Sequence, residues 1–319
     1  MYRKDTGALL TQDPASLGSR AFTNTFRALS VLVLFGILGY LYFFEIRPSQ
    51  LHWGATPEEV ARPMPDDALV SDPVFNATRA ITIQATPSQI WPWLIQMGFG
   101  RAGFYGYDLI ENLGSGRGIR SAETIIPAFQ SPKPGDQLPV SIAATLVYGP
   151  IQPNRVMIWR SSDTPCDGTF VWELIPIDAT HTRLISRIHW NYAESPGSFF
   201  LDLFTEFTDH VAIRRILEGV RDRAEGRPAH PLAAEGFAVG GFIVAVFNLI
   251  LALGFIGFWR KWIHAWLLAL GAGLLLEVVF YGPLSDLVRD VLPWLYLAIL
   301  LLLAARFGRS RFDARPAFE

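Results

Sequence analysis

Asp108, Glu111 and Asn112 stand at i, i+3 and i+4 just after an aromatic cluster, Phe104, Tyr105 and Tyr107. On a helix that spacing puts the three polar side chains on one face. Two carboxyls whose surroundings pull their pKa values apart can divide the work of acid and base, so Asp108 and Glu111 are candidates for proton transfer. Their plainer role is a solvated helix face or a cap on a neighbouring loop. His189, between Ile188 and Trp190, shares a strand face with Arg187 and Asn191. It is a third catalytic candidate, against the commoner role of a hydrogen-bonded wall residue. His210 with Glu206 and Arg214 forms an i, i+4 ladder, most simply a surface row of ion pairs. The single cysteine, Cys166, excludes an intrachain disulfide and a cysteine-rich zinc site. No HExxH or His-x-His occurs and no acidic cluster has ligand spacing, so no metal is expected. No GxSxG elbow is present either. Gly114, Gly116 and Gly118 spell GxGxG, but they follow a helix rather than a strand, so no nucleotide cofactor is expected.

These residues need elements to hold them. Thr78 to Met97 reads TRAITIQATPSQIWPWLIQM. Ile81 and Ile83 alternate with Thr82 and Gln84, the period of a half-buried strand. Thr86 then fits an N-cap and Pro87 the first turn of a helix carrying Ile90, Trp91, Leu94, Ile95 and Met97. Strand patterns follow at Ile142 to Tyr148, Val156 to Ser161, Thr169 to Ile177 and Thr182 to Trp190, with turns at Asp163 to Gly168 and Pro176 to His181. Gly197 to about Glu225 predicts a long helix with an apolar stripe of Phe200, Phe204, Phe207 and Val211, continued by Ile213, Ile216, Leu217 and Val220.

A strand that turns through Thr-Pro-Ser into a Trp-rich helix, then antiparallel strands and a long closing helix, resembles the SRPBCC superfamily of START-like, Bet v 1-like and polyketide cyclase-like domains. The resemblance covers roughly Ala77 to Gly226. It implies an α+β fold of the helix-grip kind, an antiparallel sheet wrapped around the long C-terminal helix. It also implies an apolar ligand, such as a lipid, sterol or polyketide, held between sheet and helix, with a minority of members acting as cyclases, dehydratases or hydrolases. The expected lining residues are Trp91, Trp93, Tyr105, Tyr107, Trp159, Trp172 and Trp190. Large aromatics at such periodicity also serve simply as core.

Half of the 319 residues are hydrophobic, 18% are charged, and the mean hydropathy is +0.27. The apolar excess lies at the two ends. Ala28 to Phe44, Gly236 to Phe258, Trp262 to Tyr281 and Val291 to Ala305 predict about four transmembrane helices. The chain then divides into an N-terminal tail (1–27), a span (28–45), a Pro-rich connector (46–76), the middle domain (77–227), spans at 236–258, 262–281 and 291–306, and a tail (307–319). Within the connector, Thr56, Pro57 and Glu59 predict a short capped helix. Glu277 is a carboxylate inside an expected span, either an ion or proton site or a side chain snorkelling to the interface. Gly236, Gly240, Gly254, Gly257, Gly271 and Gly273 fit close packing between spans. Arg20, Arg27, Arg260, Lys261, Arg306, Arg309, Arg311 and Arg315 fall on one side, against Arg47, Arg227 and Arg289 on the other. That bias puts the termini in the cytoplasm and the middle domain on the periplasmic or extracellular side of a bacterial inner or plasma membrane. A net charge of −2, with no basic stripe, gives no reason to expect nucleic acid.

Three functions remain open on this reading. One is a membrane-anchored module that binds an apolar small molecule or lipid. Another is a cyclase- or dehydratase-type enzyme using Asp108, Glu111 or His189. The third is a ligand-free sensor or assembly element, whose domain interior would be filled; its protein partners are unspecified.

Overall fold

Proline at the first helical position and a side chain that reaches back to the cap organise both short helices of the N-terminal half. The computed structural model describes residues 14–162, 166–191, 198–258, 267–273, 275 and 286–312. Thr56 and Glu59 form a reciprocal capping box on α3 (Pro57–Ala61), with Glu59 N–H on Thr56 Oγ1 at 3.2 Å and Thr56 N–H on Glu59 Oε2 at 2.8 Å. Thr86 N–H likewise donates to Gln89 Oε1 at 2.9 Å ahead of α4 (Pro87–Ile95).

The described elements are α1 (Pro14–Leu41), a π-helical turn (Tyr42–Ile46), α2 (Arg47–Leu51), α3, β1 (Phe75–Ile83), α4, α5 (Asp108–Glu111), β2 (Gln137–Pro139), β3 (Thr145–Gln152), β4 (Val156–Arg160), β5 (Gly168–Pro176), β6 (Thr182–Trp190), α6 (Ser198–Ala224), α7 (Leu232–Phe258) and α8 (Asp286–Phe312). The fold is α+β. Six strands form one antiparallel sheet in the order β1-β6-β5-β4-β3-β2. The expected strand start at Ile142 is corrected to Thr145. Ser141 Oγ accepts from Ala143 N–H and Ala144 N–H, which makes 141–144 a turn and leaves Ile142 78% exposed.

The chain forms two compact units, Ile46–Ala238 and a unit of Met1–Glu45 with Val239–Glu319. In the first, the inner sheet face carries Met157, Trp159, Trp172, Leu174 and Leu184, which pack with Ile90 and Leu94 of α4 and with Ile213, Ile216, Leu217 and Val220 of α6. This is the helix-grip arrangement expected from the sequence. The outer face carries Ala80, Val156, Ile158, Val171 and Ile185 and is covered by Ala55 and Met64 of the connector.

Arginines fasten that connector. Arg183 grips Glu59 through two contacts of 2.8 Å, Arg160 meets Asp66 at 2.6 Å, and Arg62 pairs with Glu173. Arg187, buried, donates to Thr78 Oγ1, to Asp67 at 2.7 Å, and to the carbonyls of Glu59, Val60 and Arg62 at 2.8 Å. Those carbonyls are the ones a helix C-terminus leaves without internal partners. At the sheet edge, the Trp53 carbonyl accepts the Ala80 N–H at 3.0 Å, so β1 does not present a bare edge there.

The number of helices long and apolar enough to cross a membrane is corrected from about four to two among the described residues. Phe22–Leu51 and Leu232–Gly254 are long and apolar enough to cross a bilayer, whereas Val291–Leu303 is apolar but shorter. Most of the expected span at 262–281, with Glu277, lies outside the described residues. In this second unit Leu34, Ala252, Ala269 and Ala272 form a small core. A Cβ on Gly273 would stand 2.7 Å from Leu38, and one on Gly271 3.1 Å from the Tyr296 hydroxyl. Asn248 Nδ2 donates to the Pro293 carbonyl at 3.0 Å, a side-chain tie between α7 and α8.

Replacing Arg187 with Met removes a buried cation while leaving Asp67 and three carbonyls behind. We expect a loss of about 3–5 kcal/mol in chemical denaturation, with protease cleavage appearing in residues 46–74. A variant within about 0.5 kcal/mol of the parent would show that the connector is not held by this residue.

Candidate functional site

The inner wall is aromatic because β4 turns Trp159 inward, beside Met157, and β5 turns Phe170 and Trp172 inward, beside Leu174. Trp159 packs on Trp172 at 5.2 Å between ring centroids, on Phe170 at 6.2 Å and on Phe104 at 6.4 Å, and Phe170 meets Trp190 at 6.1 Å. Trp172 is fully buried and Trp159 3% exposed, whereas Phe170 and Trp190 are half-buried. The Nε1 atoms of both Trp159 and Trp172 are buried without a hydrogen-bond partner. Tyr148 closes the β3 side, donating its hydroxyl to the Ile95 carbonyl at 3.2 Å; burial pushes its pKa up to about 12, so it stays a neutral phenol.

The segment 96–130 forms one end of this interior and is organised by Gln96. Its Nε2 donates to the Tyr105 hydroxyl at 2.8 Å, and its Oε1 accepts from Ile126 N–H at 2.8 Å and from Gln130 Nε2 at 3.1 Å. The Tyr105 hydroxyl in turn donates to the Trp93 carbonyl at 3.1 Å, and the two rings meet edge-on at 6.1 Å. Tyr105 holds φ at 68°, a left-handed conformation that costs a non-glycine residue about 1–3 kcal/mol. It is held there by its hydroxyl network, by Ser121 Oγ accepting its N–H, and by the Arg223 guanidinium 4.2 Å above its ring. α6 approaches so closely that a Cβ on Gly219 would lie 2.0 Å from the Tyr105 carbonyl oxygen.

The Asp108–Glu111 pair stands beside this loop, away from the aromatic wall. Asp108 is engaged by Ser121 Oγ at 2.6 Å, Ser121 N–H at 3.0 Å and Asn112 Nδ2 at 2.9 Å, so its oxygens staple the loop. Both Glu111 oxygens are inaccessible and lie over Gly106, where an added Cβ would be 2.2 Å away. Burial pushes the Glu111 pKa up to about 7, helped by the charges of Asp108 and Glu235 and opposed by the backbone N–H groups of Tyr107 and Gly106. Glu235 accepts from Leu109 N–H at 3.3 Å. A cleft of about 10 Å³ between Tyr105, Asp108, Asp222, His230 and Glu235 has room for about one water molecule.

Trp91, Trp93, Tyr105, Trp159, Trp172 and Trp190 therefore all belong to or border the interior. Tyr107 is half-buried before α5, with the Arg215 guanidinium 5.9 Å from its ring. His189 lies on the other face of the sheet, under the connector, with Nδ1 3.7 Å from Asp67; burial and Arg187 lower its pKa, against the pull of Asp67. The expected surface row on α6 is also corrected. Glu206 is 4% and His210 2% exposed, because α2 covers them. Arg47 grips Glu206 through two contacts of 2.7 Å, and His210 Nδ1 donates to the Gln50 carbonyl at 3.1 Å. Burial and the charges of Arg79 and Arg214 push His210 down to about 3, so the imidazole is neutral. Gln96 and Arg79 had no sequence signal beyond a polar residue within an apolar pattern. Among the described residues, no group of three or more His, Cys, Asp or Glu side chains could hold a metal ion.

No protein-family model matches the chain, and no curated protein does. Solved structures match about half of it. The Zhui aromatase/cyclase from Streptomyces sp. R1128 is 17% identical, with 47% of this chain and 93% of that one covered and a TM-score of 0.29. The Polyketide_cyc-like protein Cgl2372 from Corynebacterium glutamicum is 15% identical, covering 49% and 97%, with a TM-score of 0.25. Protein MLL2253 from Mesorhizobium loti is 15% identical, covering 47% and 98%, with a TM-score of 0.28. At these scores the likeness carries no argument, and the case for the site rests on its own geometry.

Glu111 gives the site a pH dependence. Between its ordinary value of 4.5 and about 7, the unfolded chain releases this proton while the folded protein keeps it. Stability that is present in acid is therefore lost as pH rises through about 7, on the order of 3 kcal/mol for this residue. Glu111→Gln should gain on the parent in melting temperature between pH 5 and pH 8. An unchanged difference across that range would show that Glu111 is not held protonated.

Proposed function

We propose that Ile46–Ala238 is a membrane-associated module that binds an apolar small molecule or lipid between the inner sheet face and α6. The observation that carries this reading is the continuity of the aromatic wall. It runs from fully buried Trp172, through Trp159, to the half-buried pair Phe170 and Trp190, so the apolar interior reaches the surface along one line of rings. Aromatic and aliphatic linings with a few fixed polar groups are the usual build of a small-molecule site. Phe199, Leu201 and Phe204 in the first turns of α6 are more than half exposed, which adds apolar surface to the same domain. The likeness of the strand–Thr-Pro-Ser–helix opening to SRPBCC domains supports the same reading. Apolar helices at both ends of the module would keep it at a bilayer, where an apolar ligand is concentrated. The arginine bias along the chain supports a periplasmic or extracellular placement.

Acid–base catalysis at Asp108 and Glu111 has less support. The Asp108 oxygens are spent on Ser121 and Asn112, and those of Glu111 are inaccessible.

Native mass spectrometry of the full chain, released from lipid nanodiscs, tests the proposal. The expected result is a reproducible apolar adduct that disappears in a Phe170→Ala, Trp190→Ala double variant, which annular lipid around the apolar helices would survive. A protein that stays free of such an adduct after incubation with a total lipid extract would overturn it.

A further inference from the structure

Among the described residues, the most exposed large apolar side chain is not in the apolar helices but on a turn of the module. Ile142, between β2 and β3, is 78% exposed, more than Phe22 at 74% or Leu302 at 71%. Leu113 at 66% and Ile110 at 58% stand three residues apart, on one side of α5 and the turn that follows it. The two loops meet, since a Cβ on Gly114 would lie 3.3 Å from Ile142 Cγ2. Their exposed apolar side chains therefore form one patch.

α5 is fastened to the start of α7. Glu235, in the first turn of α7, accepts the Leu109 N–H at 3.3 Å, and a Cβ on Gly236 would stand 3.6 Å from Leu109 Cδ1. α7 is apolar enough to cross a bilayer from Leu232 onward. The patch thus begins one residue from the place where the chain would enter a membrane. Charge points the same way. Leu113 to Arg120 and Pro139 to Thr145 hold two cations, Arg117 and Arg120, and no acid. Arg120 meets Glu123 at 3.3 Å and still has 44% of its side chain exposed. Exposed apolar clusters rimmed by polar groups mark surfaces that something covers. These are two projecting turns rather than a groove, with Ser141, Ala143, Gly116 and Gly118 as small neighbours, a shape suited to a soft, anionic surface.

We propose that Ile110, Leu113 and Ile142 dip into the interfacial layer of the bilayer beside α7, with Arg117 and Arg120 facing the headgroup phosphates. This rests on the reading of the module as membrane-associated. The patch gives this end of the module a second hold on the membrane besides α7.

The test uses the full chain in nanodiscs of phosphatidylcholine and phosphatidylglycerol, with the native cysteine removed as Cys166→Ser. A nitrobenzoxadiazole fluorophore is attached in turn at Ile142→Cys, at Ile243→Cys in α7, and at Leu69→Cys in the connector turn beside β5; the parent side chains at 243 and 69 are 61% and 45% exposed. Lipids carrying a doxyl quencher just below the headgroup should remove most of the emission at 142 and little at 69. Quenchers deep in the acyl chain should act at 243 instead. Arg117→Gln with Arg120→Gln should weaken the quenching at 142, and an unchanged value would overturn the headgroup contact. Quenching at 243 with none at 142 overturns the docking patch and leaves the membrane reading standing. An emission at 142 that is shifted to the blue but not quenched shows that a second copy or another protein covers the patch, which also overturns it. Equal quenching at 142 and 69 overturns it as well, since the contact would have no preferred face. Quenching at none of the three sites overturns the membrane reading itself.

Discussion

A guanidinium with 1% of its side chain exposed depends on acceptors that the protein itself supplies, and in this domain that group is Arg79, which finds them at Nε and Nη1. It sits on the edge strand β1 and reaches both neighbouring elements. Its Nε donates to the Gln50 carbonyl of α2 at 2.9 Å, and its Nη1 meets Asp209 of α6 at 2.6 Å. Burial works to raise the Asp209 pKa, and the Arg79 charge works against that. The same Gln50 carbonyl accepts a hydrogen bond from His210 Nδ1–H. Strand, entry helix and long helix are thereby locked to one another at a single point. The grip of the sheet on α6 and the path of the connector across the sheet both start there.

From that brace the sheet is buried on both faces, by different means. The inner face is closed by side-chain volume, with tryptophan and tyrosine rings meeting two helices. The outer face is closed by a strip of connector too thin to supply much apolar area, and here arginines of β4 and β6 take over, bonding to acidic side chains and to backbone carbonyls. The inner face is mainly apolar, with Arg79 and Ser186 set among the rings. An outer face saturated with charge-assisted bonds gives that inner face a rigid backing.

Periodicity made much of this legible. The strands β1 and β6, the caps at Thr56 and Thr86 and the second half of the α6 stripe, Ile213 to Val220, each follow from local residue pattern, whereas the first half of the stripe is corrected, with Phe204 58% exposed and Glu206 and His210 buried in its stead. What the pattern could not carry was facing. His189 and Trp190 are adjacent, and only the sheet decides that the histidine goes under the connector while the tryptophan goes inward. Glu206 and His210 look like surface residues on a helical wheel because the helix that covers them, α2, is about 160 residues away in sequence. The three-residue strand β2 is too short to show a period at all. In the site, the aromatic wall was readable as a cluster of ring positions, but the engagement of Asp108 by Ser121 spans a glycine-rich loop whose course no local rule fixes.

The arginine fastening of the connector also sets a timetable. The groups it joins lie 94 to 128 residues apart in the chain, and the connector is made first. At about 5–20 residues per second of synthesis, the connector waits roughly 5–25 s on the ribosome before Arg183 and Arg187 exist to receive it. During that wait it has to remain unstructured and soluble, and its sequence suits the task. Glu58, Glu59, Asp66 and Asp67 keep it hydrated, and prolines at 57, 63 and 65 keep it from pairing prematurely as a strand. The last strand to emerge is thus the one that fastens the first segment made, and the connector is held only when β6 has cleared the exit tunnel.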